Sequence, residues 1–269
     1  MLDRWFSVIK LPLSWRQFHR LPRNPAYKYE YLDKAAWLSP RPKFHSARLA
    51  LRPSADGPPQ EIEVHAGVIR FRRLEDRDWP RLARLFAGSF HRVQPFESLS
   101  DRRRLESARV CLKGTRDGHD GPIIRPACYV AYDDKDGRPV GANLVTLVPP
   151  VDLEDFWTFH WKTPPPPDCI EQRLGHAHLT WIFVKQWFAG YGIGSALLAH
   201  ASESLIELGY SELVSSFILG NESSMLWHWR NGFELLSYCG SKRRFRAMMR
   251  EQEPEAKPEA REAGTHPIS

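Results

Sequence analysis

Residues 181–200 read WIFVKQWFAGYGIGSALLAH. The run Trp181, Ile182, Phe183, Val184 is β-branched and aromatic, so it predicts a buried strand. Residues 195–208 place Leu197, Leu198, Ala201, Leu205 and Leu208 on one face at helical spacing, so they predict a helix. Between the two lie Gly190, Gly192 and Gly194. Glycines at a strand-to-helix junction let main-chain N–H groups turn inward unobstructed, and the helix N-terminus adds its partial positive charge. The loop is a candidate anion cradle suited to a pyrophosphate.

Spacing separates this loop from other glycine loops. A P-loop needs Lys then Ser or Thr after its last glycine, whereas Ser195 and Ala196 follow Gly194. A dinucleotide fingerprint reads G-x-G-x-x-G near the start of a βαβ domain, whereas this one reads G-x-G-x-G late in the chain. Close packing of helix on strand is the remaining structural alternative for the glycines.

Residues 221–233, NESSMLWHWRNGF, supply the second half. Asn221 follows a predicted strand over 212–219 and can cap a helix, and Gly232 stands where that helix should stop. Together the two motifs resemble the GCN5-related N-acetyltransferase family over roughly residues 68–250. Its loop pattern is Gln or Arg-x-x-Gly-x-Gly or Ala after the fourth strand, and its later pattern is Asn, a helix carrying a Tyr, then Gly-Phe. Gly192, Gly194, Asn221, Gly232 and Phe233 match. Ala189 stands where the family has Gln or Arg, and His228 where many members have the helix Tyr.

The resemblance implies an α/β fold: a mixed, mostly antiparallel twisted sheet flanked by helices and splayed after the fourth strand. It implies acetyl-CoA as the acyl donor, its pantetheine arm pairing with the strand edge at Phe183, Val184 and Lys185 as an added strand would. Ala189, Gly190, Tyr191, Gly192, Ile193, Gly194, Ser195 and Asn221 complete the implied cofactor site. The implied reaction is direct transfer of the acetyl group to a primary amine, with no metal and no acyl-enzyme. The competing function is a noncatalytic CoA-binding or protein-interaction module on the same fold.

Two histidines are candidate catalytic groups. At the position of His228 the family's Tyr lies near the thioester sulfur and can protonate the leaving thiolate, which an imidazolium can do near neutral pH. Many relatives carry a glutamate where this chain has Thr180, which cannot act as a base. Strand alternation places His176, His178, Thr180, Ile182 and Val184 on one face, so His178 is the candidate proton acceptor, with an ordinary pKa of about 6.5. Glu154 or Asp155, or the substrate's own amine, could control the pH dependence instead. A purely structural role is open for both histidines.

The remaining chain bounds the class. At 269 residues, 42% hydrophobic and 26% charged, the composition is that of a soluble protein. There is no apolar run of transmembrane length and no signal-peptide core, so the expectation is a cytoplasmic protein without a membrane partner. Cys111, Cys128, Cys169 and Cys239 form no C-x-x-C pair, which argues against zinc and for a reducing compartment. Residues 1–65 hold 11 Lys and Arg against 6 Asp and Glu, most of the net charge of +6. That excess suits an acidic protein, RNA or cofactor phosphates, but no aromatic-basic motif supports nucleic acid, and a solvated basic face is the simpler explanation. A homodimer is open.

Three regions are expected. Residues 1–66 are a basic extension rich in proline and aromatics, with a helical turn near 14–19 and an extended piece at 47–51, wrapping the catalytic domain. Residues 67–249 are the acetyltransferase-like domain: a strand at 68–74, helices at 76–90 and 99–112, and a hairpin of 127–132 with 140–148. An aromatic and proline-rich insertion at 150–175 precedes the fourth strand, and strands at 234–238 and 243–249 close the sheet. The insertion is a candidate wall of the substrate pocket. Residues 250–269 are an expected disordered tail.

Overall fold

The computed structural model describes residues 7–41, 43–93, 96–150, 152–153 and 158–236. The expected strand at 243–249, the last two residues of that at 234–238, the tail, and Glu154 and Asp155 lie outside the described residues.

The chain forms β1 (Ile9–Pro12), α1 (Trp15–Arg20), β2 (Tyr27–Leu32), β3 (Ala35–Pro40), β4 (Phe44–Ala50), β5 (Glu61–Val64) and β6 (Gly67–Arg73). Then follow α2 (Trp79–Ser89), α3 (Asp101–Arg116), β7 (Tyr129–Asp133), β8 (Pro139–Val148), β9 (His176–Val184), α4 (Ile193–Glu207), β10 (Glu212–Ile218), α5 (Glu222–Arg230) and β11 (Glu234–Leu235). Among the described residues eight strands make the main sheet in the order β11-β4-β10-β9-β8-β7-β6-β5, and β1-β3-β2 make a small second sheet. Among the described residues only β9 and β10 run parallel, and every other adjacent pair is antiparallel. The mixed sheet with flanking helices is the expected architecture.

The sheet does not respect a boundary at residue 66. β4 lies between β10 and β11, its whole length in register with β10 from Phe44↔Ile218 to Ala50↔Glu212. β5 and β6 pair straight across the expected boundary, from Glu61↔Arg70 to Val64↔Gly67. The extended piece expected at 47–51 is thus an interior strand of the sheet rather than part of a wrapping arm. The physical reason is main-chain pairing: β10 must satisfy its N–H and C=O groups on both sides, and β4 does so on one of them.

The first forty residues also build a core of their own. Ser14 and Gln17 form a reciprocal capping box that starts α1. Asp33 and Lys34, both with positive φ, make the two-residue turn that joins β2 to β3. Phe18, Ala26, Tyr27, Ala36 and Leu38 close a small apolar cluster. This unit bridges two parts of the larger body. Asn24 Nδ2 donates to the Gly220 carbonyl at 3.4 Å beside the start of α5, and the Ser7 amide donates to Ser98 Oγ at 3.3 Å before α3.

The helices sandwich the sheet. Trp181 and Phe183 meet Phe86 of α2 edge-on, at 4.8 and 5.0 Å between centroids. On the other face Ile182 and Val184 pack in the cluster built on Ile193 and Leu197 of α4. Among the described residues no helix is long and apolar enough to cross a membrane.

One irregularity changes which side chains share a face. In the β8–β9 ladder Val145 opposes Leu179 and Leu144 opposes Trp181, so Thr180 is an extra residue, a β-bulge. Strict alternation along 176–184, which sets Thr180 opposite Trp181, therefore fails. His178 and Thr180 instead share the α2–α3 face with Trp181 and Phe183, while Ile182 and Val184 turn to α4.

Candidate active site

The sheet opens at β9. Its parallel pairing with β10 covers only Ala177↔Leu213, His178↔Val214 and Leu179↔Ser215, whereas its antiparallel pairing with β8 runs on to Val184↔Gly141. Beyond Leu179 the β10-side edge of β9 has no strand beside it among the described residues, and β10 stays with β4 up to Ile218. A wedge therefore opens between the two strands, leaving main-chain groups of residues 180–184 for an extended ligand. Lys185 continues the β8 side, its amide donating to the Val140 carbonyl at 2.7 Å. The Phe183 side chain is core, so its only ligand-facing groups are main-chain.

At the end of the wedge stands the glycine loop. Phe188 and Ile193 are buried anchors on either side, while Ala189, Gly190, Gly192 and Ser195 are exposed. Gly192 is the N-cap of α4, with φ +80° and no side-chain cap, so the first amides of the helix are not met by a capping side chain. A side chain at Gly192 would meet no atom within 4 Å, but its left-handed backbone would strain any β-branched residue. Tyr191 leans on His65 edge-on at 5.9 Å. Asn221 is the N-cap of α5: its Oδ1 accepts from the Ser224 amide at 3.1 Å and from Ser223 Oγ at 2.9 Å. Its carbonyl is committed to the helix.

A polar row crosses four strands where the wedge begins. Thr146 Oγ1 on β8 donates to the Asp120 carbonyl at 2.8 Å and lies 2.8 Å from Thr180 Oγ1. Thr180 Oγ1 is 3.1 Å from His178 Nδ1, and His178 Nε2 is 3.1 Å from Ser216 Oγ on β10. Ser216 faces Ser46 of β4 in the register. Proton roles follow from this order. The Thr146 hydrogen goes to Asp120, so Thr180 gives its own to Thr146 at 2.8 Å in preference to the His178 carbonyl at 3.3 Å; His178 Nδ1–H then donates to Thr180, and Nε2 accepts from Ser216.

His178 is thus a neutral imidazole whose one lone pair is occupied. It is buried, with the Phe159 ring edge-on at 5.4 Å. Burial pushes its pKa down to about 3, with His160 and His228 adding to the fall. A base that weak does not produce a rising limb near neutral pH, so the role expected of His178 has no support in the geometry.

His228 is likewise held inside the core. Its Nδ1–H donates to the Ser224 carbonyl at 2.7 Å, so Nε2 accepts from Ser215 Oγ at 2.8 Å. It stacks on Phe217 and meets Trp227 and Phe233 edge-on. Burial lowers its pKa to about 4, so near neutrality it carries no extra proton for a leaving thiolate.

Cysteine chemistry is equally distant. Cys111, Cys128 and Cys169 are buried, and burial pushes the Cys128 thiol up to about 12. A thiolate nucleophile is not on offer among them.

Sequence reasoning missed Asp120. Nothing in its neighbourhood announces a motif, and it is brought to the polar row by Gly121, whose φ is +99° and where an added Cβ would lie 2.2 Å from the Leu147 carbonyl oxygen. Only glycine lets the chain press this closely on β8. Asp120 Oδ2 accepts from Thr115 Oγ1 at 2.5 Å, and that hydroxyl in turn accepts from Trp181 Nε1 at 2.8 Å. Burial raises the Asp120 pKa, against the lowering effects of Thr115, His160 and His119.

Several solved structures resemble the chain. A GCN5-related N-acetyltransferase from Sphaerobacter thermophilus is 12% identical with a TM-score of 0.45; the match covers 87% of this chain but 58% of that one. The PaiA N-acetyltransferase of Thermoplasma acidophilum, solved with coenzyme A, is 17% identical with a TM-score of 0.43, covering 64% and 94%. A putative acetyl transferase from Pyrococcus furiosus is 19% identical with a TM-score of 0.44, covering 65% and 98%. No curated protein matches. The sequence pattern of the acetyltransferase (GNAT) family matches residues 79–233, which take in α2, α3, the wedge, the glycine loop and the Asn-to-Gly-Phe segment, and the chain belongs to that family.

Proposed function

We propose that the protein transfers an acetyl group from acetyl-CoA to a primary amine by direct attack. The observation that carries this reading is the parting of β9 from β10 after Leu179/Ser215, with a buried polar row at its start and the glycine loop at its end. Pantetheine lies along the free edge of β9 up to Lys185 as an added strand. The pyrophosphate sits on the amides of Gly192, Ile193, Gly194 and Ser195, which take the whole contact because Ala189 brings no side-chain donor. The thioester is then carried toward the crotch of the wedge. The amine must reach it neutral, and the developing oxyanion needs a donor, which the main-chain N–H groups of the open edge supply.

The acceptor enters beside Phe159 of the 150–175 segment, whose ring meets His178 at 5.4 Å. A noncatalytic CoA-binding module is favoured by one observation: both His178 and His228 are neutral and hydrogen-bonded, so neither supplies acid–base chemistry. The two readings separate by thiol release. Native protein with acetyl-CoA and a panel comprising a lysine-bearing peptide, spermidine and an amino sugar should liberate CoA with at least one of them, well above acetyl-CoA alone. Release that no amine accelerates favours the module.

A further inference from the structure

We propose that the Asp120 carboxylate, held against β8 beside the crotch of the wedge, takes the proton from the attacking amine. The inference rests on the acetyltransferase reading and assigns a base from outside β9, since Thr180 cannot accept a proton, the His178 lone pair is occupied by Ser216, and His176 stands at the opposite end of the strand from the free edge, bonded to Glu212 at 2.8 Å. Two short connections tie Asp120 to that place. Its carbonyl accepts from Thr146, which is bonded to Thr180 on the bulge, and its carboxylate accepts from Thr115, which is bonded to Trp181, the residue next to the bulge.

The hydrogen bonds around the carboxylate suit a group that gains and loses a proton. When Asp120 is ionised, the Thr115 hydroxyl donates to it. When Asp120 is protonated it donates to Thr115, whose hydrogen turns to the Cys111 carbonyl, 3.2 Å away. Both states leave every group satisfied, which a static structural carboxylate does not require. Asp120 is part-exposed, so the proton has a route out.

Among the described residues the charged groups that act on it are few. His119 on its own connection and His160 from the 149–175 segment act on it, and His178 stands beyond Thr180 on β9. The other charges of the last turn of α3 are engaged elsewhere: Lys113 with Asp117, and Arg116 with Asp76 and the Trp79 ring. Burial raises the carboxyl pKa toward the working range of a base.

The step balances. An ammonium gives one proton to Asp120 and becomes the neutral amine, whose nitrogen attacks the thioester carbon. The C–N bond forms, the C–S bond breaks, and the second nitrogen-bound proton matches the departing thiolate, giving amide and free CoA. Asp120 then returns its proton to solvent.

The test is the pH dependence of kcat/KM for the amine that the native protein accepts from the panel above, with acetyl-CoA affinity measured in parallel. Asp120→Asn should lower kcat/KM about 100-fold and abolish the rising limb, with acetyl-CoA affinity within about twofold of native. Asp120→Glu should recover part of the rate. Thr115→Val removes a hydrogen bond that favours the carboxylate, so its limb should move to higher pH. Asp120→Asn should also melt no lower than native at neutral pH, because a carboxyl with a raised pKa destabilises the fold once ionised. A native-like limb and rate in Asp120→Asn overturns the inference and leaves the acetyltransferase reading standing. Native protein that binds acetyl-CoA yet acetylates no amine overturns both.

Discussion

At the scale of single residues, the two histidines that sequence position marked for catalysis are both neutral members of the core, and that has a measurable consequence. Each has a folded pKa below the value near 6.5 of the unfolded chain: about 3 for His178 and about 4 for His228. The unfolded state therefore binds protons that the folded state refuses, so stability is complete above about pH 6.5 and falls as pH drops toward 4. Each unit of separation is worth about 1.4 kcal/mol, so the two together cost several kcal/mol across the window. Chemical unfolding followed from pH 8 to pH 4 should show this decline. His228→Phe removes the His228–Ser215 hydrogen bond but leaves Ser215 Oγ the Leu179 carbonyl at 3.3 Å, so it should lose about 1 kcal/mol at neutral pH, and its decline with acid should be shallower than native. If His228 were instead the acid for the leaving thiolate, the variant would change the pH profile of turnover; the expected result is an unchanged profile.

At the scale of elements, the legible parts were those whose signal is local. The glycine loop, the helix after it and the Asn221 cap are written in local backbone chemistry: α5 is capped by Asn221 as expected, and α4 spans Ile193–Glu207, starting two residues before the expected 195–208 because Gly192 serves as its N-cap. The face assignment along β9 was not legible. Thr180 is a threonine in a run of alternating residues, and nothing in the sequence distinguishes a bulge from a regular strand; the extra residue is fixed by the partner, since Leu144 and Val145 span Trp181 to Leu179. The same limit hid Asp120, which reaches the site through the close approach of Gly121 to β8 rather than through any motif. Residue types at the site could be read, but which of them meet is decided by non-local packing.

At the scale of the whole molecule, the N-terminal sixty-odd residues are part of the sheet. Proline density predicted that they would avoid long helices, which holds, but the same segment could not reveal that β4 would be inserted between β10 and β11. A chain starting at Gly67 should therefore fail to fold. It loses the partner of β10 along all seven residues and the burial of Phe44 and Ala47, and exposes a strand edge suited to aggregation. A chain starting at Lys43 keeps β4 and should retain a cooperative melt. Circular dichroism and thermal unfolding of the two truncations decide this; a folded, soluble chain from Gly67 would contradict the interior role of β4.

The most direct test of a wedge and glycine loop built for acetyl-CoA is isothermal titration of the intact native protein and of Gly192→Val with acetyl-CoA. The native chain should bind one equivalent. The variant cannot hold φ near +80° with a β-branched side chain, so the α4 amides lose their aim and affinity should fall at least tenfold, about 1.4 kcal/mol, with the melting transition still cooperative. Native protein without detectable binding, or a folded Gly192→Val that binds as tightly as native, would contradict it.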